Sequence, residues 1–219
     1  MDGMLVDLRG AAAGYAGRPV LSDLDLTLRA GEHVAVLGRS GAGKSTLLNL
    51  LYQHLADRAA LIPQAAALVG TLSVFHNVYM GRLDRYSTLR NLRMLAIPAR
   101  AEVAEVQAVL AGVGMAEHLF RRAGALSGGQ QQRVSVARAL YNGRPVVIGD
   151  EPVSALDRLQ GAEVLGRLAA RHGTMVLAMH DIGLALAHAR RILVLDQGRV
   201  VLDAPAADLA IADLLPFYA

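Results

Sequence analysis

Cysteine is absent from the 219-residue chain. That removes disulfides, thiolate metal sites and cysteine nucleophiles, and it fits a cytosolic setting. Lysine is almost absent too: Lys44 is the only one, and every other basic residue is arginine. The net charge is only +3, with no basic block and no basic stripe interleaved with aromatics. A solvated, arginine-rich surface is therefore expected, and no nucleic-acid partner. No apolar run reaches the roughly 20 residues of a membrane span. The richest region, residues 175–195, is broken by His180, Asp181, Arg190 and Arg191. Met1-Asp2-Gly3-Met4 has no basic region followed by an apolar core, so no secretory leader is expected. Aromatics make up only 4% of the chain against 53% hydrophobic residues, so Ala, Leu and Val fill the core, as suits an α/β domain. No repeat or low-complexity tract is found, and the length predicts one compact domain able to bury a full core.

What is present is concentrated at Gly38-Arg39-Ser40-Gly41-Ala42-Gly43-Lys44-Ser45-Thr46. An apolar run, 33–37, precedes it, and Leu47-Leu48-Asn49-Leu50-Leu51 follows. Strand, glycine-rich loop and helix stand in the order a phosphate-binding loop needs. Glycines bring backbone N–H groups close to phosphate oxygens, and the helix aims its positive end at the same anion. Lys44 is placed to reach β- and γ-phosphates, and the Ser45 hydroxyl to hold Mg²⁺. A plain Gly/Ser turn would not require this spacing.

Around this loop the pattern predicts a short strand at 5–8, a loop at 11–17 carrying Tyr15, and an alternating strand at 24–29. After Lys44, a helix puts Leu47, Leu48, Leu51 and Leu55 on one side, followed by a short strand at 60–63. Residues 70–83 are mixed, 82–90 polar and basic, and 101–111 an amphipathic helix. A buried strand at 146–148 ends in Asp150 and Glu151. Residues 154–157 are expected to begin a helix whose apolar residues are Leu156, Leu159, Leu165 and Leu168. A strand at 174–179 leads to His180, with Asp181 as N-cap. Strands at 192–196 and 199–202 form a hairpin about Gln197-Gly198, and 208–219 is a weak helical tail.

A hydrophobic strand ending in two carboxylates, downstream of a phosphate loop, assigns Asp150 to Mg²⁺ and Glu151 to polarising a water. Leu126-Ser127-Gly128-Gly129-Gln130 then supplies a second anion-binding turn before a helix. One ATP does not need two such turns on one subunit. Two subunits placed head to tail do, each offering its turn to the other's nucleotide.

Leu-Ser-Gly-Gly-Gln followed by Gln131-Gln132-Arg133-Val134-Ser135-Val136-Ala137-Arg138-Ala139-Leu140 resembles the signature of ABC-type ATPase subunits, and the resemblance covers essentially the whole chain. It implies an α/β P-loop core at about 1–64 and 141–219, with an antiparallel β subdomain, and a helical subdomain at about 65–140. It implies ATP and Mg²⁺ as ligands. Nucleotide contacts are implied for Tyr15, Gly38, Arg39, Ser40, Gly41, Ala42, Gly43, Lys44, Ser45, Thr46 and Gln64, and for Ser127, Gly128, Gly129 and Gln130. Tyr15 resembles the aromatic that stacks on adenine, and Gln64 the glutamine that senses Mg²⁺ and couples to the membrane partner. His180 resembles the histidine that meets the γ-phosphate and aligns Glu151, and residues 154–157 resemble the loop that meets the partner subunit. The implied catalytic set is Glu151, His180 and Lys44, and the metal set Ser45, Gln64 and Asp150. The implied partners are a second ATPase subunit, a transmembrane permease and, indirectly, a substrate-binding protein, at the cytoplasmic face of the membrane.

The chain departs from that pattern in two places. Gln64 comes only 20 residues after Lys44, where most relatives carry a β-hairpin, and Gly149 stands where they often have Ala or a larger apolar residue. The segment Asn77-Val78-Tyr79-Met80-Gly81-Arg82-Leu83, with Tyr86-Ser87-Thr88 after it, resembles the phosphonate-import ATPases. So, loosely, does the ending Leu215-Pro216-Phe217-Tyr218-Ala219. Phosphonate, phosphite or a related phosphorus oxyanion is the expected cargo. An exporter, a lipoprotein-release ATPase and a non-transport ATPase of the same type are the alternatives.

Overall fold

The computed structural model describes residues 3–15 and 18–218; Met1, Asp2, Ala16, Gly17 and Ala219 lie outside the described residues. The chain divides into two compact units, Met1–Leu61 with Arg144–Ala219, and Ile62–Gly143.

The first unit holds two sheets. β1 (Met4–Tyr15) and β2 (Arg18–Arg29) pair antiparallel, burying Val6, Leu8, Leu21, Leu24, Leu26 and Leu28. β1 is much longer than the expected strand at 5–8, and it carries Tyr15, so the described part of the expected loop, 11–15, is strand. Its backbone pairs with β2 as far as Tyr15–Arg18. Small residues at 11–14 carry no alternation of their own and follow their partner strand. The six-stranded sheet has the order β4-β5-β6-β3-β7-β8, made of β3 (His33–Leu37), β4 (Ala59–Ile62), β5 (Val146–Asp150), β6 (Thr174–Ala178), β7 (Arg191–Asp196) and β8 (Arg199–Pro205). β5, β6, β3 and β7 run parallel, and β8 returns antiparallel. The central strands are continuous apolar runs because helices cover such sheets. α1 (Lys44–Leu55) buries Leu47, Leu48, Leu51 and Leu55, the predicted face, and residues 56–58 suffice to turn the chain into β4.

Arg191 ties this unit together. Its guanidinium grips both oxygens of Asp203 at 2.6 Å each and donates to the Thr27 carbonyl (2.8 Å) and to Glu32 (3.2 Å). α6 (Arg158–Arg171) begins later than expected: Asp157 caps it, accepting from the Gln160 N–H at 2.9 Å, and 154–156 are turns. Leu159 on its first turn is 73% exposed and not part of the core. Asp181 caps α7 (Ile182–His188) as predicted, accepting from the Leu184 N–H at 2.8 Å. The expected tail resolves into short pieces, including α8 (Ile211–Leu214), anchored by the buried Leu214.

The second unit is helical: α2 (Val74–Tyr79), α3 (Thr88–Ala96), α4 (Arg100–Ala111) and α5 (Gly128–Asn142). Residues read as mixed, or as polar and basic, thus hold two helices. Both have serine N-caps, Ser73 and Ser87, a local signal that identifies them. Asn77 is fully buried. Its Oδ1 accepts from the Val69 N–H (2.7 Å), and its Nδ2 donates to the Val69 and Ser73 carbonyls (3.1 and 3.0 Å). Arg82 stacks 3.9 Å over the Tyr141 ring and pairs with Glu105 at 2.8 Å. A side chain on Gly81 would meet the Arg138 carbonyl at 2.7 Å. Three named residues of the 77–83 segment therefore serve packing within this unit.

Asn77→Leu would leave the Val69 N–H without its acceptor and put an apolar side chain against the Val69 and Ser73 carbonyls, which keep only the Leu72 and residue-77 N–H groups. It should destabilise the protein by about 2 kcal/mol, as expected for unpaired buried polar groups. Urea denaturation measures this directly, and an unchanged midpoint would remove the clamp assigned to Asn77.

Candidate functional site

The parallel strands place the site. In register, Val36 of β3 lies beside Ala178 of β6, which lies beside Asp150 of β5. The glycine-rich loop, the two carboxylates and His180 therefore leave the sheet at one edge, the carboxyl ends where α/β sheets bind ligands.

Gly38 has φ 136°, and a Cβ there would sit 2.2 Å from the Leu195 carbonyl oxygen. Gly43, at φ 104°, would drive a Cβ into Leu21 at 2.7 Å. Only glycine lets the loop lie this close to β7 and β2. Lys44 is 7% exposed, and its ammonium donates to the carbonyls of Gly38 (2.7 Å) and Arg39 (3.0 Å). Burial lowers its pKa, while Glu151 and Asp150 act to raise it. The cation is thus folded over its own loop, at the N-terminus of α1, where the helix adds positive potential. The Ser45 hydroxyl donates to Asp150 Oδ2 at 2.5 Å. Asp150 is buried, so the two oxygens form a hard, oxygen-only pair. Among the described residues no cluster of three or more His, Cys, Asp or Glu could hold a metal by itself. Such a pair suits Mg²⁺, which takes few protein ligands and completes its shell with water and phosphate oxygens.

Glu151 has φ 53°, a left-handed conformation rare outside glycine. Its N–H donates to the Ala178 carbonyl at 3.0 Å, and its own carbonyl accepts from the Ser154 hydroxyl at 3.1 Å. That backbone turn carries the carboxylate to His180, with Oε1 2.5 Å from Nε2. Beside the pair is a cavity of ≈ 350 Å³, lined also by Ser154, Arg158, Asp181 and Leu184. A carboxylate held by an imidazole next to open space can accept a proton from water.

Tyr15, at the end of β1, is 58% exposed, and its hydroxyl accepts from Asn49 Nδ2 of α1 at 3.2 Å. The sequence assigns neither Asn49 nor Tyr218 a place at the nucleotide loop. The Tyr218 hydroxyl accepts from the Gly38 N–H at 3.4 Å, which no local pattern encodes. The first unit thus brings together Tyr15, residues 38–46, Asp150, Glu151 and His180.

Gln64, Ser127, Gly128, Gly129 and Gln130 belong to the second unit. Gln64 is exposed, and Arg138 holds the carbonyls of Ala66 and Ala67 just after it, at 3.1 and 2.9 Å. Ser127 caps α5 in a capping box. Its hydroxyl accepts from the Gln130 N–H (3.3 Å), and Gln130 Oε1 accepts from the Ser127 N–H (3.0 Å). The box leaves out the N–H groups of Gly128 and Gly129, which are free to meet an anion at the positive end of a helix.

A profile of the ABC transporter family matches residues 21–154. The phosphonates import ATP-binding protein PhnC of Pseudomonas entomophila is 38% identical over 232 residues, covering 93% of this chain and 87% of that protein. PhnC of Anaeromyxobacter dehalogenans is 37% identical over 243 residues. It covers 99% of this chain, which spans only 48% of that relative. Among solved structures, the dimeric bacterial ABC transporter cassette MJ0796 aligns with a TM-score of 0.78 at 24% identity, over 94% of this chain and 99% of that one. A bacterial Atm1-family ABC exporter with ATP bound aligns with a TM-score of 0.77 at 26% identity, over 99% of this chain and 41% of that one.

The left-handed backbone at Glu151 reverses a usual order of stability. Glu151→Gly should be more stable than Glu151→Ala by about 1 kcal/mol, since a Cβ is penalised there. Thermal unfolding of the two variants compares them, and an alanine variant equal or better would contradict the conformation.

Proposed function

The chain belongs to the ABC transporter family as an ATPase cassette, and on that premise we propose that it powers an importer for phosphonate, phosphite or a related phosphorus oxyanion. The observation carrying the cargo is the similarity to the PhnC proteins over nearly the whole chain. The loop 38–46 binds the triphosphate of ATP through its N–H groups. Lys44 exchanges the carbonyls of Gly38 and Arg39 for β- and γ-phosphate oxygens, and Tyr15 stacks on the adenine, steadied by Asn49. Ser45 and Asp150 would hold Mg²⁺; when bound, the ion would neutralise charge on the β- and γ-phosphates. Glu151 takes the proton of the attacking water, and His180 orients Glu151 and meets the γ-phosphate.

Turn 127–130 completes the nucleotide site of a second subunit in a head-to-tail dimer, its Ser127 hydroxyl and the Gly128 and Gly129 N–H groups facing the partner's γ-phosphate. ATP closes the dimer, and hydrolysis reopens it. Transmembrane permease subunits take up that motion, fed by a substrate-binding protein, with the cassette on the cytoplasmic face of the membrane. Among the described residues no helix is long and apolar enough to cross a membrane.

An exporter is the second reading, favoured by the likeness to the Atm1-family structure. Because Asn77, Gly81 and Arg82 serve packing inside the helical unit, that segment discriminates less than its resemblance implies.

The test is ATP hydrolysis by the cassette reconstituted in proteoliposomes with its permease and binding protein. Phosphonate-loaded binding protein should stimulate turnover, and Glu151→Gln should lower it about 100-fold or more while ATP still binds, as for loss of a general base. Turnover indifferent to phosphonate would overturn the cargo. Normal turnover by Glu151→Gln would overturn the role of Glu151.

A further inference from the structure

Gln130 makes one contact that the capping box does not require: its Nε2 lies 3.2 Å from Nε2 of His118. His118 ends the short turn Ala116–His118 and is fixed by its neighbours. Met115 and Leu119 are both buried, the His118 N–H donates to the Met115 carbonyl (3.1 Å), and the His118 carbonyl accepts from the Arg121 N–H (2.9 Å). The backbone that carries the imidazole is therefore held on both sides.

The two ends of that side chain are not equivalent. Oε1 is committed to the Ser127 N–H, so the amide nitrogen must be the end turned to His118. An N–H donor needs an acceptor, so His118 Nε2 carries a lone pair and the ring proton sits on Nδ1. Glu117 Oε1, at 3.6 Å from the same nitrogen, is beyond hydrogen-bond reach. If Gln130 flipped, its oxygen would face the lone pair of His118 and its NH₂ would face the Ser127 N–H. The contact at Ser127 would then be repulsive, and the one at His118 would need the ring proton to move to Nε2. The Ser127 N–H thus selects the rotamer of Gln130 that closes the box, and His118 braces the other end of the amide.

We propose that His118 is a positioning residue for the turn 127–130: by holding the Gln130 amide it keeps the capping box closed and the N–H groups of Gly128 and Gly129 set for an anion. It rests on the reading that this turn completes a partner subunit's nucleotide site. The effect is one of preorganisation. Without His118 the box opens part of the time, and ATP must order the turn as the dimer closes.

The test uses the full chain carrying Glu151→Gln, with the ATP-driven dimer dissociation constant read by analytical ultracentrifugation. ATP binding to the isolated subunit, read with a fluorescent ATP analogue, serves as the control for folding. Loss of a cap weakens its helix terminus about 5-fold, so His118→Leu should weaken a dimer using two such turns by about 5- to 25-fold. ATP binding to the isolated subunit should stay unchanged. His118→Gln, which returns an acceptor at similar reach, should restore dimerisation. Unaltered dimerisation by His118→Leu, or failure of His118→Gln to rescue it, overturns the proposal. Ser127→Ala separates the two levels. If it also dimerises normally, the role of the turn itself falls; if it fails while His118→Leu does not, only the role of His118 falls.

Discussion

The site depends on the register of three parallel strands. Val36, Ala178 and Asp150 are lateral neighbours on β3, β6 and β5, so the residues just beyond them leave the sheet together. A slip of one residue in β5 would turn Asp150 to the other face of the sheet and separate it from Ser45. Buried strands hold that register because a slip would also misplace Val146, Val147 and Ile148, which are almost wholly buried. The hydrogen bond between Ser45 and Asp150, spanning 105 positions of sequence, follows from this register. So does the reach of Glu151 to His180, helped by a left-handed backbone that the Ala178 and Ser154 contacts hold in place.

Two anion-binding turns are carried by the two separate units of the chain. Both work by the same physics: backbone N–H groups at a helix start, with small residues admitting a close approach. They differ in their cation. The loop 38–46 has Lys44 buried within it, whereas the turn 127–130 is closed by a capping box of neutral side chains. In the proposed function the first holds the triphosphate, and the second, which supplies donors without charge, adds to a nucleotide held by another subunit.

Most of the fold was legible because its signals are local. Leu47, Leu48, Leu51 and Leu55 announce a helix face, and Asp181 announces a cap. A glycine loop between apolar strand and helix has few other readings. What was not legible is set by distance in sequence or by partner strands. Nothing near Tyr218 hints that its hydroxyl meets Gly38, 180 positions away. Tyr15 looks like a loop residue until β2 pairs with it. Asn77 and Arg82 read as marks of a transported substrate, because a buried amide clamp and a cation over an aromatic ring cannot be told in sequence from exposed recognition residues. In the helical unit, Leu89 on α3 is 80% exposed, within the stretch that reads as polar and basic.

The central claim is that two copies of this chain complete each other's nucleotide sites, and the absence of cysteine makes it directly measurable. Subunits carrying Arg39→Cys would be mixed with subunits carrying Ser127→Cys, both in the Glu151→Gln background, and oxidised with and without ATP. The account predicts a disulfide-linked heterodimer that forms with ATP and is lost without it. No cross-link in the presence of ATP, or the same yield whether or not ATP is present, would contradict it.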